Sequence, residues 1–265
     1  MRILCENLCV LCGKKINRKD FRKGYAKRNY IYVKVKFSSK TISITNLFTA
    51  TFTASGNFAN TRSNYLLEKI FNTLIESYID NNVGIAENFL SKSLASGLKN
   101  NLNALYADNQ MQAAGTGNEE VVSHNKSVRS DIIYWLDRKH DNKNENDFFD
   151  LMDLFVSHLN ETCYSGINGY EFHYALYEKG SSYKKHIDQF KTNKSRQYSL
   201  IMYLNEDWQI SDGGELCIHH EDSLQHITPE NGKIVFFKSS ELAHEVLLSH
   251  KPRMSITGWL KTNQV

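Results

Sequence analysis

Residues 169–188 read GYEFHYALYEKGSSYKKHID, and within this stretch the periodicity of the chain changes from helical to extended. From here onward, short apolar or alternating runs are divided by Gly, Asn, Asp or Pro, a pattern typical of strands. The predicted strands cover residues 170–178, 199–204, 214–220, 233–237, 245–248 and 253–261. Many short strands at this spacing indicate a closed or double-sheet β unit.

The sequence before this stretch predicts helices that support the sheets. From Asn64 to Ile79, apolar residues recur at three- and four-residue spacing, which is the pattern of an amphipathic helix. A second helix with a leucine stripe is predicted around residues 94–105, with Ser91 or Ser93 as its cap. A strand (83–89), a surface loop (107–127), a hydrated loop (141–147) and a third helix (147–162) complete this region.

Charge is distributed unevenly along the chain. The first 60 residues hold twelve Lys or Arg against Glu6 and Asp20, although the whole 265-residue chain has a net charge of only +3. A basic arm of this kind could contact nucleic acid or a ribosome. A solvated extension is the simpler interpretation, because no nucleic-acid-binding motif accompanies the charge.

Cysteine and hydropathy patterns point to a reducing cytoplasm. Cys9-x-x-Cys12, with Cys5 nearby, has the spacing of a zinc half-site, but no second pair follows and a structural zinc needs four ligands. Cys163 and Cys217 are isolated in apolar sequence and are predicted to be buried free thiols. No targeting signal and no run approaching eighteen apolar residues is seen, so no membrane contact is expected.

The pair His186 and Asp188 is the first element of a candidate metal site. On a strand, residues two apart project to the same side, so both can face one ion while Ile187 faces away. Two imidazoles and one carboxylate on one face of an iron(II) ion leave positions free for a bidentate co-substrate and for oxygen. The third ligand must come from another strand. His244 is 56 positions beyond Asp188, enough for about five strand-and-turn units to return the chain.

The other histidines of the last third fit less well. His219 and His220 are adjacent in a predicted strand, so at most one can point inward, whereas His226 lies at a predicted loop and His250 in a Lys-Pro turn. Only His244 is followed nine residues later by an arginine.

Arg253 is the candidate for binding the co-substrate. A guanidinium makes two parallel hydrogen bonds to a carboxylate, so Arg253 can hold the distal carboxylate of 2-oxoglutarate while the keto-acid end chelates iron. On the last predicted strand, Ser255, Thr257 and Trp259 alternate onto the same face as Arg253. Ser255 is therefore a further candidate for the co-substrate pocket.

Several segments together resemble the prolyl 4-hydroxylase superfamily of Fe(II)/2-oxoglutarate-dependent dioxygenases, and within it the hypoxia-type protein prolyl hydroxylases and their bacterial relatives. The segments are YEKGSSYKKHID (177–188), YLNEDW (203–208), GGEL (213–216), HEV (244–246) and RMSITGW (253–259), with an upstream Arg-x-Asp-x-x-x-Trp pattern in VRSDIIYW (128–135). The match covers about residues 83–262.

The resemblance implies an α+β fold with a double-stranded β-helix (jelly roll) core supported by N-terminal α-helices. The implied divisions are a basic N-terminal extension (1–60), a helical support region (61–168) and an Fe(II)/2-oxoglutarate dioxygenase domain (169–262). It also implies that Tyr203 and Tyr177 line the 2-oxoglutarate pocket, with the Tyr203 hydroxyl donating to the same carboxylate as Arg253. Trp259 would form a wall of the iron site.

The activity implied by the resemblance is hydroxylation of a prolyl residue in a protein or peptide, with release of succinate and CO2. Fe(II), 2-oxoglutarate and O2 would be required, and L-ascorbate would keep the iron reduced. Asp188 favours hydroxylation over halogenation, since related halogenases replace this carboxylate. The alternative is a non-catalytic or oxygen- or iron-sensing metal-binding jelly-roll module. Such a module, or a cupin-like isomerase, would not need Arg253. The oligomeric state stays open.

Overall fold

The computed structural model describes residues 54–115, 125–190 and 192–262, with side chains from residue 65 onward. The basic residues of the predicted N-terminal extension, together with Cys5, Cys9 and Cys12, lie outside the described residues. Residues 67–265 group into one compact unit. The predicted division into a support region and a dioxygenase domain stays a prediction.

Three α-helices lie in the described residues, all before β4, and they support the strands. They are α1 (Ala54–Asn81), α2 (Lys92–Ala107) and α3 (Lys143–Cys163). The Ser91 side chain accepts a hydrogen bond from the Leu94 backbone N–H, which confirms one of the two predicted caps for α2. In α3 the Asn142 side chain accepts from two backbone N–H groups of the first turn, so the helix begins at Lys143. The prediction of a hydrated loop up to residue 147 is therefore wrong.

Eleven strands are described within the resolved ranges. They are β1 (Val83–Ala86), β2 (Gln112–Ala113), β3 (Ile132–Trp135), β4 (Gly169–Tyr177), β5 (Tyr183–His186), β6 (Arg196–Tyr203), β7 (Leu216–His219), β8 (Leu224–Ile227), β9 (Ile234–Lys238), β10 (Ala243–Val246) and β11 (Arg253–Lys261). Short 3₁₀ helices span Arg138–His140 and Ile210–Asp212.

The strands form two antiparallel sheets packed face to face. The seven-stranded sheet has the order β1-β9-β6-β11-β4-β3-β2, and the four-stranded sheet has the order β5-β10-β7-β8. One face of the larger sheet contacts the helices, as in the edge-to-face pairs of Phe236 with Phe155 and of Phe172 with Phe148. The other face and the inner face of the smaller sheet share one apolar core. The predicted α+β fold with a jelly-roll core is confirmed.

Four strands at or near sheet edges escape prediction from the sequence, among them the edge strand β2, which lies in the predicted surface loop (107–127). β5 and β8 are the two edges of the four-stranded sheet and read Tyr-Lys-Lys-His and Leu-Gln-His-Ile. Because an edge strand of a small sheet has few buried positions, its polar residues give little alternation to detect. The prediction that His226 lies in a loop is wrong, since it lies on β8. β3 lies next to the edge of the larger sheet and was likewise not predicted.

Cys163 and Cys217 are both buried and neither forms a disulfide among the described residues, as predicted. The prediction of apolar surroundings is wrong for Cys217, whose Sγ lies 3.9 Å from the Nε2 atom of His226. The described helices lack the length of apolar sequence that a membrane span requires.

Gly258 allows β11 to fit between its two neighbours. A Cβ atom at this position would lie 2.2 Å from the Glu171 backbone oxygen and 2.2 Å from a ring carbon of Phe172. We expect Gly258→Ala to lower the free energy of unfolding by about 1–3 kcal/mol, the usual cost of overpacking a core. Equilibrium unfolding in urea measures this change.

Gly169→Ala is the matched control, because no atom lies within 4 Å of a Cβ built there. Its expected effect is within about 0.5 kcal/mol. Equal unfolding free energies for the two variants would contradict the described packing of β11.

Candidate metal and co-substrate site

Three candidate metal ligands meet where β5 and β10 pair. His186 ends β5, and the register places it directly opposite His244 on β10, with ring centroids 4.3 Å apart. The two carboxylate oxygens of Asp188 lie 3.5 Å from His186 Nε2 and 3.6 Å from His244 Nε2. All three donor groups can therefore reach a single ion, and they form a two-histidine, one-carboxylate set.

Backbone carbonyls fix which nitrogen of each imidazole is available. His186 Nδ1 lies 2.8 Å from the Lys184 carbonyl oxygen, and His244 Nδ1 lies 3.1 Å from that of Leu242. Because a carbonyl oxygen only accepts, each Nδ1 carries the proton and donates it. Both Nε2 atoms are left with a free lone pair facing Asp188, as metal ligation requires.

The electrostatics of the site favour an ionised Asp188 carboxylate and a neutral His244 imidazole. Burial by itself raises the pKa of Asp188, but the adjacent His244 and His186 lower it by more, so the pKa lies well below its usual range. The Ser199 hydroxyl adds to this by donating a 2.6 Å hydrogen bond to Asp188. Burial lowers the pKa of His244 to about 4, against the opposing effect of Asp188. These are the protonation states that bind a metal ion.

Asp188 lies just beyond the strand on which it was predicted. β5 ends at His186, Ile187 is 49% exposed, and Asp188 follows in a bend. The backbone N–H of Gln189 donates to the Ser239 carbonyl at 3.0 Å and holds this bend against the larger sheet. The predicted opposite orientation of Ile187 is observed, although the strand itself does not extend that far.

Arg253 is a buried cation without a described anionic partner. It is 1% exposed, and no ion pair with it is found among the described residues. Nε donates to the Gly214 carbonyl at 2.7 Å, while Nη2 is buried without a hydrogen-bond partner. Gly214 has a φ of +66°, and a Cβ there would lie 3.1 Å from Arg253 Cδ, so a larger residue would displace the arginine.

Tyr177 and Tyr203 enclose the Arg253 guanidinium. Its Cζ atom lies 4.9 Å from the Tyr177 ring centroid and 5.0 Å from that of Tyr203, both within cation–π range. The Tyr203 hydroxyl is buried and has no hydrogen-bond partner in the described structure. Burial raises the pKa of Tyr203, against the opposing charge of Arg253, so the phenol keeps its proton and can donate it. A carboxylate bound here would satisfy both Arg253 Nη2 and the Tyr203 hydroxyl.

Ser255 lies next to this site but does not line the cavity. It is fully buried, it pairs with Tyr203 across β6 and β11, and its hydroxyl lies 3.4 Å from that of Thr257. Thr257, one step further along the same face, does line the cavity with Arg253. The structure thus places Thr257 where the sequence suggested Ser255.

One cavity connects the metal ligands with Arg253. His186, Asp188, His244 and Arg253 all contribute to its wall, together with Tyr177 and Trp259. The sequence analysis missed further lining residues: Arg129, His173, Ala175, Tyr183, Ile201, Leu216 and Val246. On β4 and β6 a signal was present, since the missed residues precede Tyr177 and Tyr203 at two-residue steps.

His173 is the least expected of these lining residues. It is 1% exposed, and neither ring nitrogen has a hydrogen-bond partner among the described residues. Its ring lies between Trp135 and Trp259, with centroid distances of 4.9 and 5.5 Å. Burial, followed by the charges of Arg129 and Arg196, lowers the pKa of His173 well below its usual value, so the imidazole is neutral.

The comparison with protein families agrees with this geometry. Residues 172–261 match the model of the 2OG-Fe(II) oxygenase superfamily, and this range includes every candidate metal ligand and Arg253. Residues 172–261 belong to the 2OG-Fe(II) oxygenase superfamily. The resemblance to the prolyl hydroxylases that the motifs indicated is confirmed by relatives that carry this name.

These relatives are similar to the chain over different shares of its length. A hypoxia-inducible factor prolyl hydroxylase of Caenorhabditis elegans is 32% identical over 146 residues, which are 51% of this chain and 20% of that protein. This chain therefore spans about a fifth of the curated relative. A Pseudomonas putida prolyl-4-hydroxylase structure is 27% identical with a TM-score of 0.66, covering 73% of this chain and all of the other.

A third relative supports the fold alone. It is a prolyl hydroxylase from Trichoplax adhaerens, solved in complex with a peptide fragment of the hypoxia inducible factor oxygen degradation domain. Its identity is 24% and its TM-score is 0.68, over 76% of this chain and 93% of the other.

A buried ion pair supports one candidate metal ligand, His186, from behind. Arg129 binds both carboxylate oxygens of Asp131, at 2.7 and 2.9 Å, and the Asp131 side chain is fully buried. The Arg129 Cζ atom lies 4.6 Å from the Tyr183 ring centroid. The Tyr183 ring in turn stacks on His186 at 3.6 Å and 14°. A rigid sequence of contacts therefore runs from β3 to the ligand.

We expect Asp131→Asn to lower the free energy of unfolding by about 3–5 kcal/mol, because it leaves the Arg129 cation buried without its partner. Urea unfolding measures the loss. Asp150→Asn removes a partner of exposed Arg138 and serves as the control, with a much smaller expected loss. Comparable losses of unfolding free energy in the two variants would show that the Arg129–Asp131 pair stabilises the fold no more than an exposed ion pair does.

Proposed function

We propose that this chain is an Fe(II)- and 2-oxoglutarate-dependent dioxygenase that hydroxylates an unactivated C–H bond. The proposed substrate is a prolyl residue of a protein or peptide, and the proposed co-products are succinate and CO2. Support for the substrate class comes from relatives named as prolyl hydroxylases. Ascorbate as a reductant and a cytoplasmic location stay predictions.

The observation that supports a 2-oxo acid most strongly is the buried, unpaired Arg253. A buried cation is unfavourable unless an anion or strong hydrogen-bond acceptors accompany it. Its free Nη2 and the free hydroxyl of Tyr203 are donors suited to one carboxylate. Because the same cavity holds the three metal ligands, a dicarboxylate with a keto group at its other end fits both sets.

The residues have separate tasks in this proposal. His186, Asp188 and His244 would hold iron(II), while Arg253 and Tyr203 would bind the distal carboxylate of 2-oxoglutarate. When bound, iron(II) with 2-oxoglutarate and O2 supplies the oxidising power for C–H hydroxylation. Ser199 keeps Asp188 oriented by donating to one of its oxygens, and the apolar side chains of Ile201, Leu216 and Val246 exclude water from the cavity wall.

Trp259 and Trp135 form an aromatic row that suits a cyclic apolar substrate group, such as the ring of proline. Trp259 lies in the cavity wall, and Trp135, 6.4 Å from it between ring centroids, is 47% exposed. Arg196 covers the Trp259 ring at 3.5 Å and is held by an ion pair with Glu171. The row thus provides an apolar path from solvent to the metal ligands.

A metal-binding module without catalysis is the second candidate function. The metal ligands alone suit it equally well, as they would suit a sensor of iron or oxygen. The buried Arg253 does not suit such a module. Without 2-oxoglutarate its charge would stay buried and uncompensated, at a cost to stability. Turnover therefore separates the two functions.

The activity test incubates the chain with iron(II), 2-oxoglutarate and O2, with peptides that contain one central proline and matched peptides that contain alanine. We expect succinate in every wild-type reaction, and a mass increase of one oxygen atom only in proline peptides. His186→Ala should reduce succinate to the level of the protein-free reaction, because one metal ligand is lost. Equal succinate from His186→Ala and wild type would contradict the proposal. Succinate with no oxidised peptide would contradict only the prolyl substrate.

Removal of the Arg253 charge tests the co-substrate role separately. We expect Arg253→Gln to weaken 2-oxoglutarate binding by about 10- to 100-fold, the worth of a charge-assisted hydrogen bond. Calorimetric titration under anaerobic conditions with iron(II) measures the dissociation constant. Arg138→Gln removes an exposed arginine and should leave it unchanged. An unaltered constant for Arg253→Gln would remove Arg253 from the 2-oxoglutarate site.

A further inference from the structure

The outward face of the four-stranded sheet carries a second set of metal-binding side chains. On β7 and β10, Leu216, Ile218 and Val246 point into the shared core. Because side chains alternate along a strand, Cys217, His219 and Glu245 point to the opposite side. The register places Cys217 opposite Glu245 on one neighbouring strand and opposite His226 on the other. Three adjacent strands thus present a thiol, two imidazoles and a carboxylate on one face.

The donor atoms are spaced as ligands of one ion. The ligand atoms of Cys217, His219 and Glu245 all lie within 4.8 Å of one another, and His219 Nε2 lies 2.9 Å from Glu245 Oε1. Cys217 Sγ lies 3.9 Å from His226 Nε2. Ligands of a tetrahedral zinc ion are separated by about 3.3–3.8 Å, as zinc–sulfur and zinc–nitrogen bond lengths require. His226 lies outside the three-residue set and contacts only its Cys217 member, so its ring must rotate toward His219 and Glu245 to become the fourth ligand.

Glu215 orients the His226 imidazole without being one of the metal-binding side chains itself. The Glu215 carboxylate accepts a hydrogen bond from His226 Nδ1 at 3.1 Å. The proton is therefore on Nδ1, and the lone pair of Nε2 faces Cys217. Metal-binding histidines in proteins almost always have such a carboxylate or carbonyl partner on the other nitrogen. At the iron site, backbone carbonyls have this role for His186 and His244.

We propose that Cys217, His219, His226 and Glu245 form a second metal site that binds zinc, with Glu215 as the orienting carboxylate. A thiolate with two imidazoles suits zinc, whereas the sulfur-free set at His186 suits iron(II). The ion would enter from solvent, since the side chains of His226 and Glu245 are 45% and 25% exposed. Four protein ligands close the site, so its role is structural.

A zinc ion here would join β8, β7 and β10. β10 also carries His244, whose side chain points inward from the position next to Glu245. Zinc would therefore restrain the strand that supplies one iron ligand, without contacting the cavity. The inference does not depend on the proposed oxygenase activity.

Cobalt(II) provides a probe that responds to sulfur ligation. Thiolate-bound cobalt gives a charge-transfer band in the near ultraviolet, and the two-histidine, one-aspartate site has no sulfur to produce one. The experiment uses the full chain with Cys5, Cys9 and Cys12 replaced by Ser, a non-thiol reductant and no oxygen. Because the His186 site also takes cobalt, the titration uses a His186→Ala chain, in which we expect the band to saturate with one equivalent per chain and zinc to abolish it. Absence of the band would overturn the proposal.

Two cysteine variants on this background locate the sulfur. Cys217→Ser should abolish the band, whereas Cys163→Ser, which replaces the other described free thiol, should retain it. Persistence of the band in Cys217→Ser would place the site elsewhere and overturn the assignment.

Glu215→Gln and His226→Gln provide a test that does not alter the buried thiol. Glu215→Gln should weaken cobalt binding by about 10- to 100-fold, as loss of an orienting partner does. His226→Gln should weaken it at least as much. If neither variant changes the affinity for cobalt, the contacts of His226 with Glu215 and of His219 with Glu245 are only surface hydrogen bonds. Zinc should still raise the unfolding temperature of a His186→Ala chain. It should no longer raise the unfolding temperature of a chain that carries both His186→Ala and His226→Gln.

Discussion

The antiparallel pairing of β5 with β10 is the constraint on which the site depends. It sets His186 opposite His244, and the bend after β5 then brings Asp188 between them. A shift of this register by one residue would turn His244 outward and Glu245 inward, because neighbouring residues of a strand face opposite sides. The apolar residue Val246 on β10 opposes such a shift, since the shift would move it from the core to the solvent face.

The larger sheet supplies the complementary half of the site. β11 lies between β4 and β6, so Arg253 is paired with Tyr177 and is close enough to Tyr203 for both rings to pack on its guanidinium. The buried charge is thereby held at one end of the cavity and the metal ligands at the other. Neither sheet alone contains a complete site, which explains why the two must be packed face to face for the proposed chemistry.

The sequence predicts well those parts of the fold in which burial imposes a period. β11 was predicted with its observed limits, since Arg253, Ser255 and Trp259 alternate with residues that pack toward the helices. β5 and β8 were missed because edge strands need no apolar alternation, and this hid the true location of His226. Arg129 and His173 were not recognised as cavity residues. The bridge that pairs Arg129 with Tyr183, a contact distant in sequence, brings Arg129 near the site.

The central claim is that one cavity binds iron(II) and 2-oxoglutarate together through the two-histidine, one-aspartate set. Anaerobic absorption spectroscopy tests it most directly, because a 2-oxo acid that chelates iron(II) gives a weak visible charge-transfer band that neither component gives alone. The wild-type chain should develop this band when both are present, and Asp188→Ala should not. A wild-type chain without the band at saturating iron(II) and 2-oxoglutarate, or an Asp188→Ala chain that retains it, would contradict the claim.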